Sequence, residues 1–449
     1  MIAAVFCKKE YWAVLKRWIV ATFILLFDAP AMGWSDHAGL LWPLVRTMPV
    51  MLAPSLQVET LEDFLDADAQ GLEGLLAAHE ARAREEDPDY AHRPDQLAFS
   101  SRASDLRSAF LRAIRVNPTL PYALYRQNTV EDAPLPGAAA PTFSDLSFLA
   151  PGVSHRDVWY LPLAAGDRVA PAHVLASGSD EPDFGMDIGL FEDNGTVFGK
   201  DYGFGVQPFG NPNLDYGSQA PFHMGFYHLD WLTRTAQPGL LRTFPAERVA
   251  LFRDLASFAF STGHDYWGWR FMGWGLHYVG DLTQPYHAAP LPGVTTAEAL
   301  WTVMVGETES AVQLVSNRHG VLESYQNQRV MAAQRAGDWS LPLLAAIASG
   351  EPVSDFDAST VRMVLSAESV AAGAALDSAL ETHVPVRFVG DPTFEWTGSG
   401  EEAQIVDRVA EEGGTAAVDA LDLELANQMR RFSRYARAWI NVGIAAWVP

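Results

Sequence analysis

The sequence predicts an all-α domain, and three features carry that prediction. Apolar and charged positions alternate at helical period over about 55–85, 100–115, 246–262, 266–282, 297–326, 328–348, 358–382 and 403–447. Only one short run, Asp157-Val158-Trp159-Tyr160-Leu161, reads as a strand. The remaining segment, about 116–235, is rich in Pro, Gly, Asn, Asp and aromatic residues and reads as a long loop-rich insertion. Loops of that length inside a domain are uncommon and usually functional. No internal repeat or low-complexity tract divides the rest, and the C-terminal stretch reads as helix without a separate β-sandwich domain. Residues 34–449 are therefore read as one multi-helix bundle with at most minor β.

The first 33 residues read as a signal peptide. Lys16-Arg17 precedes an apolar run, Trp18 to Phe27, that is too short to span a bilayer. Ala31 and Gly33 then supply the small-x-small pattern of a signal-peptidase site. Cleavage after Gly33 makes Trp34 the new N-terminus and places the protein outside the cytoplasm, secreted or periplasmic. An uncleaved anchor is the alternative. No later apolar run looks long enough to cross a membrane.

Composition narrows the chemistry. The chain has 449 residues, 49 % of them apolar, enough for a large core. Its one cysteine, Cys7, lies in the leader, so the mature chain has no thiolate ligand, cysteine nucleophile or disulfide. The formal charge is −24; the leader carries four cations and two carboxylates, so its removal leaves −26. A surface this acidic repels a polyanion at long range, and no stable nucleic-acid complex is expected. A zwitterionic headgroup feels little of that repulsion.

The densest chemistry is Leu276-His277-Tyr278-Val279-Gly280-Asp281-Leu282-Thr283-Gln284-Pro285-Tyr286-His287. His277 and Asp281 are four apart and share a helix face. Pro285 should end that helix and return His287 nearby. His319 and Glu323 repeat the spacing. Neutral imidazole and carboxylate are the ligands zinc takes when cysteine is absent. Two such pairs and a further His argue for more than one metal ion. By contrast, His264 reads as a helix-start or buried polar residue. His79, His92, His155, His173 and His383 have no second ligand at metal spacing and read as surface positions. The aromatic run Tyr266 to Trp274 reads as the core side of the helix leading into His277.

The His277–His287 stretch resembles the central motif of the zinc-dependent bacterial phospholipases C and, more distantly, the fungal zinc nucleases that cut single strands. The resemblance implies an all-helical fold around three zinc ions, beginning at an N-terminal tryptophan. It assigns Asp183, His223, His277 and Asp281 to one ion and His287, His319 and Glu323 to a second. Trp34 (through its amine and carbonyl), His37 and a bridging Asp281 would hold the third. Asp183 is chosen for its Pro182-Asp183-Phe184 context, with Asp180 and Asp187 as competitors; His223 is preferred to His228. The resemblance also makes Asp183 the residue that orients or deprotonates the attacking water, and sets Phe184 against a choline group.

The resulting expectation is an exported phospholipase C. It would cleave the glycerol-side phosphoester of phospholipids, phosphatidylcholine foremost, at a membrane or micelle surface. The rivals are a zinc nuclease for single strands, which would want base-stacking pockets, and a non-catalytic, zinc-stabilised lipid-surface binder.

Overall fold

The computed structural model describes residues 34–132, 141–151, 158–212, 215–295, 298, 306–354 and 356–447. Residues 1–33, on which Cys7 and the expected signal peptide with its cleavage site fall, lie outside them, as do Asp157 and His155. Helices make up 61 % of the described residues, and the only sheets among them are two small antiparallel pairs. The class is all-α with minor β.

The helices that build the site are α1 (His37–Val45), α2 (Leu61–Glu86), α3 (Leu106–Ala113), α4 (Pro171–Asp180), α5 (Asp215–His223), α6 (Pro245–Thr262), α7 (Asp265–Leu282), α8 (Pro285–Ala288), α9 (Thr308–Ala336), α10 (Pro342–Ser349), α11 (Ser366–His383) and α12 (Ile405–Trp447). Strand β1 (Leu56–Gln57) pairs with β4 (Arg168–Val169), and β2 (Tyr125–Gln127) pairs with β3 (Tyr160–Pro162).

α7 is the axis of the molecule. Every residue from Tyr266 to Leu282 is buried, the pattern of a helix enclosed on all sides. α6 packs along it and leads into it through a tight turn at Gly263, whose φ of 86° is left-handed, a region glycine enters at no steric cost. α4 and α12 cover its other faces. Trp267, Trp269 and Trp274 are fully buried, as the sequence predicts for the aromatic run. His264 caps the start of α7 between Glu59 and Asp68, its ring nitrogens 2.8 and 2.9 Å from their carboxylates.

α4 and α7 cross in backbone contact. A Cβ at Gly273 would stand 2.7 Å from the carbonyl oxygen of Leu175, and one at Gly178 would stand 3.0 Å from that of Arg270. This contact holds the end of α4 against the chemistry of α7. Gly273→Ala should therefore lower stability by about 1–3 kcal/mol through overpacking, despite alanine's better helix propensity. A urea midpoint equal to or above that of the parent would contradict this packing.

Several boundaries differ from the sequence reading, each for a physical reason. α1 and α4 fall outside the predicted helical stretches, because their apolar or small residues cover every side and leave no period to read. Within α1, Pro43 cannot donate to the carbonyl of Gly39; Gln334 Nε2 donates to that oxygen instead, at 2.8 Å. Pro221 in α5 leaves the carbonyl of Gly217 to Gln207 Nε2 in the same way, at 2.9 Å. The break expected at 327 lies at Gly337 (φ 68°), where a left-handed residue ends α9 and Pro342 starts α10. The 116–235 segment is loop-rich but contains α4 and α5, which carry site residues at their ends.

One helical stretch, Val361–His383, is long and apolar enough to cross a membrane by length and composition, contrary to expectation. It is tied into the bundle: its buried Asp377 accepts hydrogen bonds from Tyr286 (2.7 Å) and Arg318 (2.5 Å).

Candidate metal centre

Separate elements converge at the C-terminal half of α7. α1 brings His37. A 3₁₀ turn after α4, Pro182–Phe184, brings Asp183. α5 ends on His223, α8 carries His287, and α9 carries His319 and Glu323. The turn holding Asp183 is fixed by its neighbour Glu181, which receives a bidentate pair from buried Arg270 (2.7 and 3.0 Å) and a hydrogen bond from Trp274 Nε1. A bidentate guanidinium–carboxylate pair sets geometry as well as energy. Gly280 has a similar local purpose, since a Cβ there would lie 3.2 Å from His37 Nδ1.

All eight of these side chains are buried, and they form three groups of possible ligands: His37, His277 and Asp281; Asp183, His223 and His277; His287, His319 and Glu323. His37 Nε2 lies 3.3 Å from Asp281 Oδ1 and 3.8 Å from Asp183 Oδ2. His223 Nδ1 lies 3.0 Å from Asp281 Oδ2 and 3.7 Å from Asp183 Oδ1. His277 Nε2 is 2.9 Å from His223 Nδ1 and 3.2 Å from Asp281 Oδ2. In the last group, His319 Nε2 is 2.7 Å from Glu323 Oε1 and 3.2 Å from His287 Nε2. Asp281 Oδ2 is also 3.9 Å from His287 Nδ1.

Backbone carbonyls fix which imidazole nitrogens face inward. His277 Nδ1–H donates to Ser179 O at 2.9 Å, and His287 Nδ1–H donates to His223 O at 2.8 Å. Each ring therefore turns a lone pair at Nε2 toward its neighbours, the outer support that metal-ligating histidines use. His223 is backed by Asp187, whose Oδ2 is 3.6 Å from its Nε2. Asp187 is itself held by Arg248 and Tyr278, both at 2.5 Å.

The electrostatics call for cations. Burial pushes Asp183 up to about 7, although His223 and His37 oppose the rise. Burial, reinforced by Asp183 and Asp281, drives Glu323 well above the carboxylate range. Burial also lowers His287 to about 3. His223 resists its burial and is pushed up to about 10 by Asp187 and Asp281. Among the described residues, no Arg or Lys forms an ion pair with Asp183, Asp281 or Glu323. Buried carboxylates without a counter-charge are costly. His223 Nδ1 and His277 Nε2 stand 2.9 Å apart, joined by an N–H···N hydrogen bond that a metal ion between them would replace.

The donor atoms fit a metal. His37 Nε2, Asp183 Oδ1, Asp281 Oδ1 and Glu323 Oε1 are buried without a hydrogen-bond partner. Ligands on a tetrahedral ion at about 2.0–2.1 Å stand about 3.3 Å apart, close to the separations seen here. These buried clusters could hold metal ions. Family models, curated proteins and solved structures offer no match to this chain. The case for the centre thus rests on the chain's own residues.

The competing candidates are placed elsewhere. His228 Nε2 lies 3.0 Å from Arg362 O, outside the three groups. Asp180 accepts from Ala38 N at 3.2 Å and so supports α1, while Asp187 backs His223. Trp34 is fully buried and its Nε1 donates to Thr283 Oγ1 at 2.9 Å, which anchors it two residues beyond Asp281. Phe184 does not present a face to the centre: it is 3 % exposed, packed among Tyr125, Phe143 and Tyr160. The expected choline contact is corrected accordingly. Two of the presumed surface histidines are also corrected: His79 is buried with Nδ1 2.7 Å from Asp254, and His173 stacks on Trp42. The support from Ser179, Asp187 and Arg248 left no signal in the sequence, because it arises from chain crossings and not from spacing.

Proposed function

We propose that the chain is an exported phosphodiesterase that holds three zinc ions and cleaves the glycerol-side phosphoester of phospholipids at a membrane or micelle surface. The observation that carries this reading is the set of three convergent ligand groups, two of them sharing His277 and both approached by Asp281. Bound ions would polarise phosphate oxygens, stabilise charge developing at phosphorus and bring a water's pKa toward neutrality. The chain's own residues do the rest. Asp183 accepts the water's proton or fixes its orientation. Ser179 and the carbonyl of His223 hold two imidazoles in the ligating tautomer. Trp34, made N-terminal by removal of the leader, would supply its amine and carbonyl beside His37. Zinc is preferred because the donors are imidazole and carboxylate with no thiolate.

The acidic surface favours a lipid over a nucleic acid as substrate. Turnover of phosphatidylcholine and phosphatidylethanolamine micelles, set beside that of single-stranded DNA, tests the reading. Release of diacylglycerol with little DNA cleavage is expected; DNA cleavage without lipid turnover would overturn it.

A further inference from the structure

The ligands His287 and His319 come from separate helices, α8 and α9, yet their Nε2 atoms stand 3.2 Å apart. Each is directly preceded by a residue whose side chain ends on the same buried carboxylate, Asp377 of α11. Tyr286 donates its hydroxyl to Asp377 Oδ1 at 2.7 Å, and Arg318 donates from Nη1 to Oδ2 at 2.5 Å. Successive residues of a helix point about 100° apart, so each ligand can face the centre while its neighbour faces α11. The Tyr286 ring lies nearly parallel to the His319 ring, with 17° between the planes and 5.5 Å between centroids. Tyr286, Arg318 and Asp377 are all buried. Glycines admit this junction: at Gly293, φ 80°, a Cβ would stand 3.0 Å from Asp377 Oδ2, and at Gly373, one turn before Asp377, it would stand 3.1 Å from Pro292. The guanidinium beside His319 is held by two carboxylates, Asp377 and Glu381, each at 2.5 Å. They offset its repulsion of a cation at that ligand.

We propose that Asp377 is the positioning residue for the ion that His287, His319 and Glu323 would hold. Acting through Tyr286 and Arg318, it sets the spacing of the two imidazoles and the plane of the His319 ring. This rests on the reading of the three groups as a metal centre. Ligating rings need their orientation fixed from outside. At His287 that support includes the bond from Nδ1–H to His223 O; at His319 the parallel face of Tyr286 resists rotation of the ring. A residue that merely tied α8, α9 and α11 together would change stability and leave the folded protein's affinity for this ion untouched. A positioning residue changes the affinity of this one group, by about 10–100-fold for a typical outer partner of a metal ligand.

The test is zinc titration against a competing chelator, on the mature protein and on Tyr286→Phe, Asp377→Asn, Glu381→Gln and His319→Ala. Tyr286→Phe keeps the ring and cuts its tie to Asp377; Asp377→Asn leaves one acceptor oxygen for two donors. Each should weaken one ion by about 10–100-fold, the same ion that His319→Ala loses, and should alter the visible spectrum of cobalt(II) bound there. Glu381→Gln removes a partner of Arg318 that is 55 % exposed and should leave every affinity unchanged. If Asp377→Asn does not fold, Tyr286→Phe decides. Unchanged affinity and spectrum, or equal weakening of all the ions, would overturn the proposal and leave the centre standing. If His319→Ala loses no ion, none is held at this group, and the proposal falls with the three-ion reading. Selective weakening in a protein that hydrolyses no phospholipid would support the positioning role and refute the phosphodiesterase.

Discussion

Asp281→Ala is expected to release more than one metal ion and to abolish measurable turnover. Its two oxygens face different partners, Oδ1 toward His37 and Oδ2 toward His223, His277 and His287. Removing it leaves several imidazoles crowded together without the anion that balances a bound cation. Breaking one partner out of a buried charged set costs about 3–5 kcal/mol, and loss of metal binding adds to that, because ligation energy is folding energy in a chain without disulfides. His319→Ala should differ in kind. His319 lies in the group of His287 and Glu323, whereas Asp281, grouped with His37 and His277, also stands 3.0 Å from His223 of another group, so His319→Ala should lose one ion while the others remain. Metal content per chain and melting temperature of the two variants, measured side by side, check this. Equal metal loss in both would mean that Asp281 does not bridge.

Asp183→Asn is expected to cut turnover by about two to four orders of magnitude, the range for a lost general base, with the fold retained. Its carboxylate Oδ1 is buried without a hydrogen-bond partner, so the change to an amide disturbs little packing. Asp187→Asn should behave in the opposite sense. It breaks the buried pair with Arg248 and should destabilise the fold by several kcal/mol. Urea denaturation and kcat for both variants distinguish them. Near-normal turnover in Asp183→Asn, with a stable but dead Asp187→Asn, would exchange the roles assigned here.

The parts of the centre legible in the sequence are those that depend on helical spacing. His277 with Asp281, and His319 with Glu323, sit four apart on α7 and α9, and the structure keeps each pair together. His287 follows from Pro285, which starts α8 and turns the chain back. His37, Asp183 and His223 come from segments far apart in sequence, and only the resemblance to a family suggested them; no local pattern could. The helices α1 and α4 were invisible because a buried segment apolar on all sides has no period. Phe184 was misplaced because an aromatic residue beside a ligand can turn toward the site or into the core, and local sequence does not distinguish the two.

Metal analysis of the protein, with its first residue determined, tests the central claim most directly. Protein recovered with Trp34 as its first residue should contain close to three zinc ions per chain, and chelation should lower its melting temperature together with its activity. A single ion per chain, calcium in place of zinc, or active protein that still begins at Met1 would contradict the account.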